Sequence, residues 1–284
     1  MTKSIVVGVD RSPNSAAALR WAYADSQRRG RRVLALYAWG FIPPGHAGGD
    51  HTFDAGYTTA RARDELAAFV TQALGSEAAR DVQQRASYAY APTALLAAAD
   101  YGELLVVGAC GTSGLRSLRL GSVSRHLLHH AQRPVAVIPP IERCTLSRIV
   151  AGFDGSGSAR RALTWAADEA RRRGARLDVV QAWHVPYSVA APVSGYSVVA
   201  GALESTARSD ICDALAAPDL ADLPVPATPV VVQGPAGPAI LDAAEGADLI
   251  VLGTRGLGTV AGALLGSVTH HVVHHATRPV VVVP

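Results

Sequence analysis

The stretch LLVVGACGTSGLRSLRLGS, residues 104–122, decides the fold, and it comes twice: LIVLGTRGLGTVAGALLGS fills residues 249–267. Each copy opens on an apolar run, Leu104–Val107 or Leu249–Leu252, of the length of a buried strand. Each continues as G-x2-G, nine residues, then Gly-Ser, and leads into a helical pattern at roughly Val123–Ala131 and Val268–Ala276. The reading is strand, glycine-rich loop, helix start. Glycines let a backbone approach a ligand closely, and the free N–H groups at the positive end of a helix favour an anion. Ser122 and Ser267 stand where an N-cap hydroxyl is expected. Neither loop has the G-x-x-x-x-G-K-[ST] pattern of a P-loop, and the nine-residue gap is too long for the dinucleotide fingerprint. One such loop is a weak signal; two in the same context point to phosphate binding.

Working outward, the whole chain is duplicated. IVVGVDRS at residues 5–12 matches IVAGFDGS at 149–156, and ALRWA at 18–22 matches ALTWA at 162–166. Asp10 and Asp154, Trp21 and Trp165, and Trp39 and Trp183 are all 144 positions apart, whereas the glycine loops and the closing prolines, Pro134 and Pro279, are 145 apart. A unit of half the chain is therefore repeated with a one-residue insertion, a period far longer than that of a solenoid. The expected domains are residues 1–140 and 147–284.

Strand and helix patterns alternate within each unit. The first reads as strands Ser4–Val9, Arg32–Ala38, Val82–Tyr90, Leu104–Gly108 and Val135–Ile138, with helices over Ser15–Arg29, Thr58–Leu74, Pro92–Tyr101 and the stretch after Gly121. The second reads as strands Arg148–Phe153, Arg176–Ala182, Ala227–Gln233, Leu249–Gly253 and Val280–Val283, with helices Ala159–Arg173, Ser197–Ala216, Pro238–Glu245 and Val268–Ala276. A Gly/Pro-rich loop covers residues 41–56. Continuous apolar strands alternating with helices predict a parallel sheet covered on both faces, and right-handed crossovers make it doubly wound. The fold class is α/β, two tandem Rossmann-like domains of five parallel strands each. Ligands then bind beyond the carboxyl ends of the strands at the topological switch point, on a rim carrying Asp10, Gly108, Asp154 and Gly253.

Composition excludes several functions. The 284 residues are 49% hydrophobic and 17% charged, with net charge +3. That is a globular composition with too little charge for a nucleic-acid partner. The arginines at 28–32 and 171–173 read as helix C-terminal charges. Three cysteines, Cys110, Cys144 and Cys212, form neither a metal set nor a disulfide framework. No apolar run is long enough to span a membrane, and the opening MTKSIVV runs directly into a strand, so no signal peptide and a cytoplasmic location are expected.

These residues resemble the universal stress protein family in its two-domain form, over nearly the whole chain. The resemblance rests on the G-V-D-x-S and G-F-D-G-S openings, the two G-x2-G-x9-G-S motifs, and the H-A-x-R-P-V closings at His130–Val135 and His275–Val280. It implies the five-stranded doubly wound domain and the family's ATP-binding branch, with one nucleotide per domain. Carried over, Gly108, Gly111, Gly121, Ser122 and Val123, and Gly253, Gly256, Gly266, Ser267 and Val268, would hold ribose and phosphates. Asp10 and Asp154 would line the adenosine side or hold a Mg²⁺ ion, and Ala38 and Ala182 would meet adenine by backbone. Arg255 lies in the second loop where Cys110 stands in the first, which predicts tighter binding in the second domain; Arg116, Arg119 and Arg11 in the first would oppose that difference. The resemblance also implies that the two domains pair within the chain through their last strands, Val135–Ile138 and Val280–Val283; a homodimer fits the family but rests on no particular residue.

The residues admit plainer readings too. Asp10 and Asp154 suit turns that open a helix, and Ser12 and Ser156 read as helix caps rather than nucleophiles. The pairs His126/His130, His270/His274 and His271/His275 are four apart, but a zinc site needs three or four ligands, so no metal site and no catalytic residue are assigned. The tryptophans read as packing residues and Cys110 as a small loop residue. The expected activity is that of a stress-response regulator that binds ATP. A slow ATPase is the alternative, since neither loop holds a Lys to clamp a γ-phosphate; an interaction module with empty sites is the other.

Overall fold

The computed structural model describes residues 4–40, 57–111, 120–140, 147–184, 196–257 and 265–284. The loop at 41–56, most of the nine-residue gap in each glycine loop (with Arg116 and Arg119) and Cys144 lie outside these. The chain divides into two compact units, Met1–Arg143 and Cys144–Pro284.

The first unit runs β1 (Ser4–Gly8), α1 (Pro13–Arg29), β2 (Val33–Gly40), α2 (Thr59–Leu74), α3 (Ser76–Ala79), β3 (Val82–Ala89), α4 (Ala91–Ala99), β4 (Gly102–Gly108), α5 (Ser122–His130) and β5 (Val135–Ile138). The second runs β6 (Arg148–Gly152), α6 (Gly157–Arg173), β7 (Arg176–Trp183), α7 (Tyr196–Ala216), β8 (Ala227–Gln233), α8 (Ala236–Ala243), β9 (Leu249–Gly253), α9 (Ser267–His275) and β10 (Val280–Val283). Within the units the strand orders are β3-β2-β1-β4-β5 and β8-β7-β6-β9-β10, with parallel neighbours throughout. The two-domain doubly wound α/β fold expected from the alternation is the observed one. Only the single turn α3 had no counterpart in the sequence pattern: SEAA carries too few residues to show a period.

Burial explains the pattern. Ile5, Val6 and Val7 of β1 and Ile149, Val150 and Ala151 of β6 are at most 1% exposed, as central strands covered on both faces must be. Local signals set the helix ends. Ser12 and Ser156 adopt extended backbone and accept hydrogen bonds from the N–H of Ser15 and Ala159, so both are N-caps. Gly30 and Gly174 close the same helices in the left-handed conformation. Near those C-termini an ion pair is buried in each unit: Asp25 with Arg29 at 2.5 Å, and Glu169 with Arg173, the latter pair 1% exposed on both sides. Each pair lies within a single helix, four residues apart, and Arg29 also reaches Glu103 of β4 at 3.4 Å.

The rim follows from topology. After β1 the chain moves to one side through β2 and β3, then returns across β1 to β4 on the other. The crevice between the carboxyl ends of β1 and β4, and of β6 and β9, is the switch point.

Candidate functional site

At each switch point a loop leaves the central strands and is tied down on three sides. Its neck is closed by backbone: the N–H of Gly121 donates to the carbonyl of Ala109 at 2.6 Å, and that of Gly266 to Thr254 at 2.8 Å. The first turn of the following helix is stapled to the strand end, Ser124 Oγ donating to Gly108 O and Thr269 Oγ1 to Gly253 O, both at 2.7 Å. The first turn of the helix after β1 or β6 holds the loop from the other side. Asn14 Nδ2 donates to the carbonyl of Cys110 at 2.9 Å, and Ser158 Oγ donates to the carbonyl of Arg255.

The glycines fit this crowding. A Cβ on Gly253 would sit 2.7 Å from the Ser158 carbonyl carbon and 2.9 Å from the Ala159 nitrogen, and one on Gly108 2.9 Å from Asn14. Cβ atoms on Gly111 and Gly256 would overlap Oδ2 of Asp10 and Asp154. At Gly121 and Gly266 the nearest atoms are 3.4 Å away, an ordinary van der Waals contact that a methyl group would tolerate.

The expected N-caps Ser122 and Ser267 are corrected here. The caps are Gly121 and Gly266, whose carbonyls accept the first intrahelical bonds from Arg125 and His270, while the serines are the first helical residues. The reason is the neck: the turn that returns Gly121 and Gly266 to the strand fixes their extended backbone, φ −72° and −70°, and helical angles start one residue later. No side chain caps either helix. The leading N–H groups therefore face the pocket as donors.

Asp10 and Asp154 take up the turn role that the sequence left as one of two options. Oδ1 of each accepts from the N–H two residues on, Ser12 and Ser156, at 3.0 Å. Oδ2 of Asp154 also accepts from Leu257 at 3.0 Å, bracing the loop. A carboxylate offers about four acceptor positions, and Asp154 uses two of them in these bonds.

The residues carried over as the nucleotide site fall on two cavities. Asp10, Ala38, Gly108, Gly111, Gly121, Ser122 and Val123 line a cavity of about 130 Å³. Asp154, Ala182, Gly253, Arg255, Gly256, Gly266, Ser267 and Val268 line one of about 390 Å³. Asn14, Ser124, Ser158 and Thr269, which hold the loops, were not anticipated. The visible signal was the hydroxyl two places after each Gly-Ser pair, Ser124 and Thr269, aligned by the repeat.

The histidines lie on α5 and α9. Their rings meet in pairs, His126 with His130 and His270 with His274 tilted at 4.4 Å, and His271 stacked on His275 at 4.3 Å. Burial, and then the neighbouring His130 or His275, holds His126 and His271 below the ordinary histidine pKa. Among the described residues no group of three His, Cys, Asp or Glu is placed to hold a metal ion, and no helix is long and apolar enough to cross a membrane.

A family model described as the universal stress protein family matches the chain twice, at residues 1–139 and 145–284. The chain belongs to the universal stress protein family. A universal stress protein of Mycobacterium tuberculosis is 30% identical over 289 residues, covering 98% of this chain and 96% of its own length. One of Mycolicibacterium smegmatis is 29% identical over 286 residues, with the same coverage. Among solved structures, a universal stress protein from Archaeoglobus fulgidus superimposes with TM-score 0.64 at 20% identity, covering 100% of this chain and 98% of the other, which is a likeness of fold. Within this universal stress protein the two sites differ in size, and the size of the second falls in the few-hundred-Å³ range usual for small-molecule pockets.

Proposed function

We propose that the chain is a cytoplasmic stress-response regulator that binds ATP, one nucleotide site per unit, with the site of the second unit the stronger. The observation that carries this reading is the uncapped helix start beneath each glycine loop: α5 and α9 begin at glycines that supply no capping side chain. Main-chain donors of Ser122 and Val123, or Ser267 and Val268, would bind phosphate oxygens, aided by the helix dipole. Gly111 and Gly256 pack on Asp10 and Asp154, which would accept from ribose hydroxyls or meet a Mg²⁺ ion that shields the phosphates. Ala38 and Ala182, at the ends of β2 and β7, would offer backbone groups to adenine.

Arg255, in the second loop alone, supplies a charge that Cys110 does not. Hydrolysis is slow in this reading, because the loops hold no Lys and both aspartates already brace the fold. The tandem arrangement supports an intrachain pair of units; we propose that β5 and β10, the last strands of their own sheets, mediate it.

Mass spectrometry of nucleotide released by denaturing freshly purified protein tests the central point, with ATP expected. The Gly121→Glu/Gly266→Glu double variant should stay folded and bind none. Undiminished ATP binding by that folded variant would refute the site.

A further inference from the structure

Both units make the same turn after their first strand, by different means. Oδ1 of Asp10 accepts from the N–H of Ser12, and Oδ1 of Asp154 from that of Ser156, both at 3.0 Å. The residue between lies at positive φ in each case, Arg11 at 66° and Gly155 at 81°. Glycine takes this conformation freely, whereas a Cβ resists it. Among the described residues Arg11 is the only non-glycine found there. Such backbone persists where its surroundings over-determine it, and it collects at functional sites.

The surroundings are on β2 and α2. The Arg11 guanidinium donates to Oε2 of Glu65 and lies 5.4 Å from the centroid of the Tyr37 ring. Glu65 is anchored in turn: its Oε2 also accepts from the Tyr57 hydroxyl, and its Oε1 from Arg61 Nε at 3.1 Å. The Tyr37 and Tyr57 hydroxyls are 3.2 Å apart, and Arg61 lies 5.2 Å over the Tyr57 ring. The guanidinium is thus held by a fixed carboxylate and an aromatic face. Gly155 has no side chain to be held and needs none.

The turn matters because of what Asp10 meets. A Cβ on Gly111 would overlap Oδ2 of Asp10, so the carboxylate seats the second glycine of the loop. Asp10 and Gly111 both line the first cavity. If Arg11 left the left-handed region, the peptide units on either side of it would rotate, the Ser12 bond would be lost, and the carboxylate would leave the glycine.

We propose that Arg11 is a positioning residue of the first nucleotide site. Held by Glu65 and Tyr37, it fixes the turn that sets Asp10 against Gly111, as Gly155 does unaided in the second unit. Its charge is committed to Glu65 and acts on the ligand through Asp10 alone. The proposal rests on the ATP reading of this site and adds to it a tie between the site and α2.

The test uses the full chain carrying Gly266→Glu, in which only the first site is open. ATP affinity is read by calorimetry, and hydrogen exchange of the Ser12 amide is read without nucleotide. Arg11→Ala keeps the Cβ but loses the tie, and Glu65→Gln removes the anchor. Each should weaken ATP binding and speed Ser12 exchange about fivefold, the weight of one partly exposed ion pair. Arg11→Gly removes strain and tie together, so both readouts should stay within about twofold of the parent, with or without Glu65→Gln. A direct contact between Arg11 and phosphate predicts the opposite: Arg11→Gly would weaken binding as Arg11→Ala does, and Glu65→Gln would tighten it by freeing the guanidinium. Either result, or unchanged affinity and exchange in Arg11→Ala, overturns the proposal. If the parent bound no ATP, the reading of the first site would fail by itself, and Ser12 exchange would still support or overturn the role of Arg11 in the turn.

Discussion

The three glycines of the second loop should respond to substitution in a fixed order set by what surrounds each. In Gly253→Ala the new methyl meets the backbone of Ser158 and Ala159 at 2.7 and 2.9 Å, where α6 crosses the end of β9. Backbone cannot rotate aside, so the helix must shift by several tenths of an ångström, and overpacking of that kind costs about 1–3 kcal/mol. For a unit of this size each kcal/mol lowers Tm by roughly 3–5 °C. In Gly256→Ala the methyl meets only Oδ2 of Asp154. That carboxylate can swing away, but it then gives up its bonds to Ser156 and Leu257. The expected loss is about 1–2 kcal/mol, as for one or two hydrogen bonds, and it falls on the loop. Gly266→Ala has no contact under 3.4 Å and φ −70°, so it should be close to neutral. Urea unfolding of the three variants gives the order, and ATP titration of the same proteins separates a collapsed loop from a blocked one. If Gly266→Ala destabilised as much as Gly253→Ala, the assignment of Gly253 to tight packing and of Gly266 to a looser contact would be wrong.

Other outcomes are as definite. With one site closed at a time, calorimetry should find tighter ATP binding in Gly121→Glu, which keeps the larger second cavity and Arg255, than in Gly266→Glu; the reverse order would assign the principal site to the first unit. Glu169→Ala removes the buried carboxylate that pairs with Arg173, 1% exposed, and should cost about 3–5 kcal/mol in urea unfolding; a loss under about 1 kcal/mol would mean that other groups or water take its place. His271 has its pKa lowered in the fold, first by burial, so its contribution is full above the ordinary histidine value near 6.5 and is lost as pH falls through the lower folded value. Between pH 7.5 and 5.5 the urea midpoint should therefore drop less in His271→Gln than in the unaltered protein, and equal drops would show that the ring is not desolvated.

Much of this protein was decided locally and was open to reading in the chain. The apolar runs at Ile5–Val7 and Leu104–Val107, Ser12 before Pro13, and Gly30 after Arg29 each act within a few residues, and the duplication supplied every signal a second time. Periodicity and capping are short-range physics, so strands, helices and the doubly wound order followed from them. The glycine loops were legible for the same reason, because spacing alone set Gly108 against Gly121 and Gly253 against Gly266. What lay beyond reach depended on contacts between residues distant in sequence. The cap passed from Ser122 to Gly121 because the loop closes on Ala109; Asn14 and Ser158 became loop clamps because the first turn after β1 or β6 crosses the end of β4 or β9. The difference between the units is likewise tertiary. Arg11, Tyr37 and Glu65 come from three separate segments, and only the packing of α2 beside β2 brings them together, Arg11 pairing with Glu65 and lying over the Tyr37 ring. Side-chain reach across elements, unlike backbone preference, has no period along the chain by which it could be read.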